Sequence, residues 1–538
     1  MKLNLLRNNC SYNELRRQFK WSLPEKFNMG SVLQSHPKDT PAIIYVDERN
    51  NIHKATFSNL EIMSNKLANA LLSIGIKTGD RLGILLSQGI EAAVSHLACY
   101  KSGIIAIPLF VQFGTDALTY RLNNSEATCV IVDESNIEKV MDIVKDIKNL
   151  KYVIIVSEKK IYSCYNFYDL IHQSSEGFSI NMYDINKPAV IIYTSGTTAE
   201  PKGAVHSHTI LFGHLPCIEF THNFFPQQGD LFWTPADWAW IGGLFDALMP
   251  SLYYGVPIVA HRMKKFDPEK AFYLLEKLNI KNVFLPPTAL KMMREVDRPS
   301  EKYKYSLRSV ASGGESLGYE LLEWGKREFS LYINEFYGQT ECNLIIGNSY
   351  NILPIKPGSM GVPIPGHSVE LIDEEGEVLD SNEIGEIAVK KGDPSMSIEY
   401  FKKPDATKEK FIGDFLRTGD LAKKDDDGYF YFQGRNDDII NCSGYRISPV
   451  EIENTLIKHP YVKMAAVVGV PDSIRGEKIK AFIILKENVE VSDRLESELQ
   501  SFVKNKLAAY EYPREIAFVD SLPLTATGKI RRSELKKL

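Results

Sequence analysis

The chain has 538 residues, too many for one simple core, so two or more domains are expected. Its hydrophobic fraction of 44% and charged fraction of 24% are those of an ordinary globular protein. A net charge of −5, from 63 basic and 68 acidic residues, argues against a nucleic-acid binder. Seven cysteines, without a CxxC pair or a Cys/His cluster at zinc spacing, read as reduced thiols in the cytoplasm. The N-terminal MKLNLLRNNCSYNELRR lacks the apolar stretch of a secretion signal. No run approaches the roughly 18 apolar residues of a membrane span.

Short β-branched runs open the chain: PAIIYV (41–46), RLGILL (81–86), IIAIPLF (104–110), TCVIVD (128–133) and KYVIIV (151–156). Amphipathic stretches at 58–75 and 89–103 lie between them. Apolar strands alternating with helices predict parallel sheets covered by helices, an α/β architecture. Beyond residue 360, VELIDEEGEVL, GEIAVKK and YFYFQGR read as hairpin strands, with turns at Glu375-Gly376 and Asp427-Gly428. The last hundred residues form a small α+β pattern. It runs through a helix at 448–459, strands at 462–472 and 478–485, and an amphipathic helix near 492–507. The predicted fold is a large N-terminal domain of helix-covered parallel sheets with a small β-barrel-like part, followed by a small mobile α+β domain. The boundary is placed at Asp437, giving domains 1–437 and 438–538.

The strongest local signal is AVIIYTSGTTAEPKGAVHSH (189–208). A β-branched run stops at Thr194, Ser195, Gly196, Thr197 and Thr198, with Lys202 beyond. Small hydroxyl residues and glycine let backbone N–H groups turn inward as an anion-binding nest, and Lys202 adds a point charge. This suits the β- and γ-phosphates of a nucleotide. The segment lacks the GxxxxGK[ST] spacing of a Walker A loop, which removes the P-loop kinase reading.

YTSGTTAEPKG resembles the phosphate-loop signature of the acyl-adenylate-forming superfamily, which holds acyl-CoA synthetases, luciferases and the adenylation domains of peptide synthetases. SGGES (312–316), EFYGQTE (335–341), RTGD (417–420), GRNDDIINCSGYRISPVEIE (434–453) and TATGKIRR (525–532) follow in that family's order. The resemblance implies that Tyr337 offers its face to adenine, with Gly314, Glu315 and Ser316 along the adenine edge. Glu335, Phe336, Gly338 and Gln339 complete that nucleotide-binding stretch. Thr340 would bond the α-phosphate, and Glu341 would hold Mg²⁺, a cation that prefers oxygen ligands. Asp420 would accept from the ribose hydroxyls, and Arg435 would contact ribose or phosphate. Lys529 would bridge the carboxylate and the α-phosphate, with Lys202, Thr340 and Glu341 completing the catalytic set. Asp437 matches the hinge position. Ser443, Gly444 and Tyr445 would run along coenzyme A, with Arg446 near phosphates of either nucleotide. One departure is Ala199, where the family's loop usually has glycine.

These readings imply two half-reactions. ATP and a carboxylic acid give an acyl-adenylate and diphosphate, then coenzyme A displaces AMP. Gly338 stands where acetyl-CoA synthetases carry a tryptophan, and Gly313 also lacks a side chain, so an acid larger than acetate is expected. FWTPADWAWIGGLFD (232–246) is expected to give the other wall, through Trp238, Trp240, Ile241 and Gly242. The FKW…PEKFN start and the IPLF segment resemble those of medium-chain acyl-CoA synthetases, which makes a medium-chain fatty acid the first choice. Short acids, aromatic acids and transfer to a carrier protein are the alternatives. Amino-acid adenylating domains anchor the substrate amine with an aspartate in this helix. That position falls on Gly242, and Asp246 lies a turn later.

Overall fold

The computed structural model describes residues 10–159, 161, 164–194, 200–442, 445–472, 476–487, 489–507, 512–525 and 529–538. They pack as two compact units. The first holds residues up to Thr194, Pro201–Ser368 and Lys390–Glu409; the second holds Val369–Val389 and Lys410–Leu538.

Two large sheets build the first unit. In one, strands Ile105–Pro108, Arg81–Leu85, Cys129–Asp133 and Tyr152–Val156 run parallel. Pro188–Tyr193 joins them in parallel and turns back antiparallel as Gly203–Ser207. The other sheet has a parallel centre of Ile333–Gln339, Ser309–Gly313, Asn282–Phe284, Phe232–Trp233, Ile258–His261 and Pro41–Val46. Antiparallel strands Cys342–Gly347 and Ile52–Thr56 flank it. Parallel strands sit between helical layers and are apolar on both faces. Cys129, Val130, Ile131 and Val132 are accordingly all fully buried.

The predicted helices form close to their expected limits. Phe57–Ser73 starts at a reciprocal cap between Thr56 and Asn59. Ile90–Ser102 stops at Gly103, whose φ of 70° continues the chain in the left-handed region. The two helices are joined by a buried cation. Lys101 Nζ donates to Glu61 Oε2 at 2.7 Å, Ser64 Oγ at 2.8 Å and Asn65 Oδ1 at 2.7 Å.

The second unit holds two smaller sheets. One pairs Val369–Ile372 with Ile384–Lys390, and Phe415–Lys424 with Phe430–Arg435, all antiparallel. Gly376 and Gly428 take positive φ of 92° and 84° beside the two predicted turns. The other sheet is dominated by the long antiparallel pair Val462–Asp472 and Gly476–Leu485. Helices Pro449–Ile457 and Asp493–Lys506 accompany it. Its core includes Ile452, Leu456, Val467, Ile483 and Leu499.

Candidate active site

The phosphate-loop motif is flanked in the chain by two paired antiparallel strands. Strand Pro188–Tyr193 leads in, Gly203–Ser207 leads out, and Thr194 N–H donates to Lys202 O at 2.9 Å to close the base. Tyr120 Oη donates to Pro201 O at 2.9 Å and steadies the return. Thr194 and Lys202 therefore face each other across the hairpin. Ser195, Gly196, Thr197, Thr198 and Ala199 lie outside the described residues.

Tyr400 ties this hairpin to the EFYGQTE motif. Its strand pairs with the return strand, Ala204 opposite Tyr400. Its ring lies 5.0 Å from Lys202 Nζ, and its hydroxyl donates to Glu341 Oε1. A second tie comes from His206, whose Nε2–H donates to Thr340 O at 2.8 Å. Burial holds the His206 pKa down to about 4, so the ring is neutral near pH 7. Ser397 N–H donates to Glu341 O at 2.8 Å. Lys202, Thr340 and Glu341 are thus gathered from two stretches of chain around one tyrosine.

Glu341 is buried, with one carboxylate oxygen engaged by Tyr400 and the partly exposed Thr340 hydroxyl next in sequence. Such hard oxygen donors fit Mg²⁺, which is commonly held by one or two carboxylates together with substrate phosphates. Among the described residues no group of three or more His, Cys, Asp or Glu could hold a metal.

The expected nucleotide stretch follows the C-terminal ends of two neighbouring inner strands, Ser309–Gly313 and Ile333–Gln339. Ser312 and Gly313 lie opposite Glu335 and Phe336 in parallel register. Gly314 has φ 96° with open space at its Cβ direction. Glu315 accepts from Thr288 Oγ1 at 3.1 Å and pairs with Lys291 at 3.7 Å. Ser316 is partly exposed. Tyr337 is buried on the strand, and Gln339 Nε2 donates to its hydroxyl at 3.5 Å. Glu335 Oε1 accepts from Leu317 N–H at 3.1 Å, yet burial pushes its carboxyl up to about 8.

In the second unit, Asp420 and Arg435 are cross-strand partners, with Arg435 Nε 3.6 Å from Asp420 Oδ1. Lys529 is exposed. Its backbone closes a turn: Thr525 N–H donates to Lys529 O at 2.7 Å, and Lys529 N–H to Thr525 Oγ1 at 3.0 Å. Arg532, three residues on, anchors that turn. It reaches Glu453 Oε2 at 2.7 Å and Asp438 Oδ2 at 3.3 Å. Asp437 lies in a short turn at Asn436–Asp438, and Tyr445 and Arg446 on strand Tyr445–Ile447; the side chains of these three, and Ser443 and Gly444 entirely, lie outside the described residues.

The expected acyl wall is aromatic. Trp240 packs on Phe110 and Phe113, with ring centroids 5.4 Å and 6.0 Å apart. Phe284 and Phe336 form a second pair at 5.1 Å. Ile241 is partly exposed, whereas Trp238 is buried. The glycines do not leave empty space along their own side-chain directions. A Cβ on Gly338 would lie 2.6 Å from Asn343 Oδ1 and 3.0 Å from Leu344 Cα, and one on Gly313 would lie 2.4 Å from the Phe336 ring. At both positions the chain itself occupies the room that a side chain would need.

Two family models match the sequence: AMP-binding enzyme over residues 31–401, and AMP-binding enzyme C-terminal domain over 451–529. The chain belongs to the AMP-binding enzyme family. It is 36% identical to an uncharacterized acyl-CoA ligase, YtcI, of Bacillus subtilis (strain 168) over 519 residues, 96% of each chain. It is also 36% identical to the mitochondrial acyl-coenzyme A synthetase ACSM4 of Mus musculus, covering 96% of this chain and 88% of that one. Among solved structures it resembles the anthranilate CoA ligase AuaEII in complex with anthranoyl-AMP. That match has a TM-score of 0.88 and 27% identity, over 96% of this chain and 98% of that one.

For this AMP-binding enzyme, sequence reasoning missed Tyr400 and His206. Tyr400 meets Glu341 across 59 positions of chain, and His206 meets Thr340 across 134. Tyr400 lies outside every motif, and His206, within the 189–208 segment, gives no local sign of its partner. Only strand pairing brings them to the site.

Proposed function

We propose that the chain is an AMP-forming acyl-CoA synthetase. It converts a carboxylic acid, ATP and coenzyme A to acyl-CoA, AMP and diphosphate through an acyl-adenylate. The observation that carries this reading is the gathering of Lys202, Thr340 and Glu341 around Tyr400, at the base of the hairpin that bears the phosphate motif. Those groups are suited to gripping a triphosphate, and the reaction requires no protein nucleophile.

In the first half-reaction the acid's carboxylate oxygen attacks the α-phosphorus, and the bond to diphosphate breaks. Lys202 and the hairpin amides hold the β- and γ-phosphates. Thr340 orients the α-phosphate. Lys529 neutralises the charge gathering between the carboxylate and that phosphate. The work is positioning plus charge stabilisation. Glu341 would hold Mg²⁺, which supplies charge neutralisation to the phosphates when bound. Asp420 and Arg435 serve the ribose. In the second half-reaction the coenzyme A sulfur attacks the acyl carbonyl carbon, its proton is lost to solvent, and AMP leaves. We assign Asp437 as the hinge between domains 1–437 and 438–538, with residues 443–446 serving coenzyme A.

The acid is larger than acetate and mainly apolar, a medium-chain acid by first choice. The aromatic pairs Trp240–Phe110 and Phe284–Phe336 support an apolar wall. Diphosphate release is to be measured over straight-chain acids from acetate to palmitate and over benzoate, with acyl-CoA detected directly. Diphosphate release with acyl-CoA peaking at intermediate length is expected. Failure to form acyl-CoA from any acid defeats the reading, and formation only with a carrier protein points to the carrier-loading alternative.

A further inference from the structure

Beneath Gly242 and Gly338 lies a hydrogen-bonded group of three polar side chains from three elements. Asp246 comes from the helical turn Leu244–Leu248, Asn343 from strand Cys342–Gly347 and His214 from helix Thr209–Thr221. Asp246 is 1% exposed, Asn343 5% and His214 0%. Both glycines above them are partly exposed. A Cβ on Gly242 would lie 3.4 Å from Asp246 Oδ2, and one on Gly338 would lie 2.6 Å from Asn343 Oδ1. The two glycines thus bring backbone without side chain over a buried polar pair, at the place already assigned to the acyl group.

The hydrogen bonds fix the roles of these atoms. His214 Nδ1 lies 2.7 Å from Ile210 O, which can only accept, so Nδ1 carries the proton. Its Nε2 is then an acceptor and takes an N–H from Asn343 Nδ2 at 3.0 Å. The second N–H of Asn343 goes to Asp246, whose oxygens lie 2.8 Å and 3.0 Å away. Both amide hydrogens are consumed. Among the described residues nothing donates to Asn343 Oδ1. Burial raises the Asp246 carboxyl to about 8, the Asn343 bond opposing the shift, so near pH 7 it is chiefly the neutral acid. As the acid it offers an O–H, with His214 Nε2 standing 3.6 Å from Oδ1. The pair therefore presents an acceptor, Asn343 Oδ1, beside a donor, the Asp246 acid. A ligand that bonds to both is favoured over one that bonds to neither.

We propose that Asp246 and Asn343 read a hydroxyl on the acyl chain, making the preferred substrate a hydroxylated carboxylic acid whose hydroxyl is remote from the reacting carboxylate. The hydroxyl oxygen accepts from Asp246, and its O–H donates to Asn343 Oδ1. An amine offers donors to both groups but needs an ionised Asp246. A methyl end engages neither group. This inference rests on the acyl-CoA synthetase reading and specifies its substrate class.

The test compares straight-chain acids of four to ten carbons with the same acids carrying a hydroxyl or an amine at the far end or one carbon before it, following acyl-CoA formation by the full-length protein. At the best length, kcat/KM should be at least about tenfold higher for the hydroxy acid than for its unsubstituted counterpart. Asp246→Asn, which keeps a donor, should preserve that ratio. Asp246→Leu should bring it near unity. Equal turnover of hydroxy and plain acids by the native protein overturns the proposal and leaves the synthetase reading intact, whether or not the leucine variant folds. Preference for the amino acids overturns the hydroxyl assignment. Parallel loss of all acids in Asp246→Leu, with the ratio retained, reduces Asp246 to a structural part. No acyl-CoA from any acid defeats the synthetase reading itself.

Discussion

Glu335 shows what burial does to a single carboxyl. It sits in the EFYGQTE strand, 4% exposed, with the Leu317 amide as a hydrogen-bond donor. One such bond does not offset desolvation, and the pKa rises from 4.5 to about 8. Between those values the folded chain holds a proton that the unfolded chain has lost. Stability from this group is therefore complete below about 4.5 and is lost as pH rises through about 8. Glu335→Gln keeps an oxygen for Leu317 and removes the titration. Its Tm relative to the native chain should climb by about 2 °C or more over this range and then level off. A constant difference from pH 4 to pH 9 in parallel thermal melts would contradict the assignment. The identity of Glu335 as part of the motif was visible in sequence. Its burial was not, because exposure depends on the neighbouring strand Ser309–Gly313 and not on local spacing.

At the level of elements, the helix pair Phe57–Ser73 and Ile90–Ser102 was readable from amphipathic spacing alone, but its polar lock was not. Lys101 stands in the last turn of its helix, and its side chain is fully buried. Its ammonium survives there because Glu61, Ser64 and Asn65 on one face of the partner helix take its donors. Removing the countercharge leaves a buried cation. Glu61→Ala should cost about 2–3 kcal/mol, read as a lower denaturant midpoint, whereas Lys101→Met should cost less because no charge is stranded. Equal losses in the two variants would show that packing and not charge holds the pair. The phosphate hairpin has the same character. Its loop motif is local, while the residues that support it, Tyr400 and the Thr340 carbonyl met by His206, lie far along the chain. An element's own pattern records its buried face, and its partners are recorded elsewhere.

For the whole molecule, the proposed chemistry requires an exposed lysine near the end of the chain to serve a nucleotide gripped elsewhere. Lys529 is held on a turn by Thr525, and Arg532 fastens that turn to Glu453 and Asp438. Lys529→Ala should lower acyl-adenylate formation by about 10²–10³-fold. Thioester formation from supplied acyl-adenylate should stay within about threefold of the native rate. Equal loss in both half-reactions, measured separately by diphosphate release and by acyl-CoA formation, would remove Lys529 from the adenylation step. By itself the sequence determined the α/β class, the limits of most strands and helices, and the family. Those follow from the periodicity of apolar residues and from short motifs whose parts are adjacent in the chain. Only the tertiary structure decided that Tyr400 joins Lys202 to Glu341, that Gly338 makes room for Asn343, and that Asp246 and Asn343, 97 positions apart, share a hydrogen bond. Those contacts depend on which strands pair and in what register, a choice made by the whole core at once and written in no local stretch of residues.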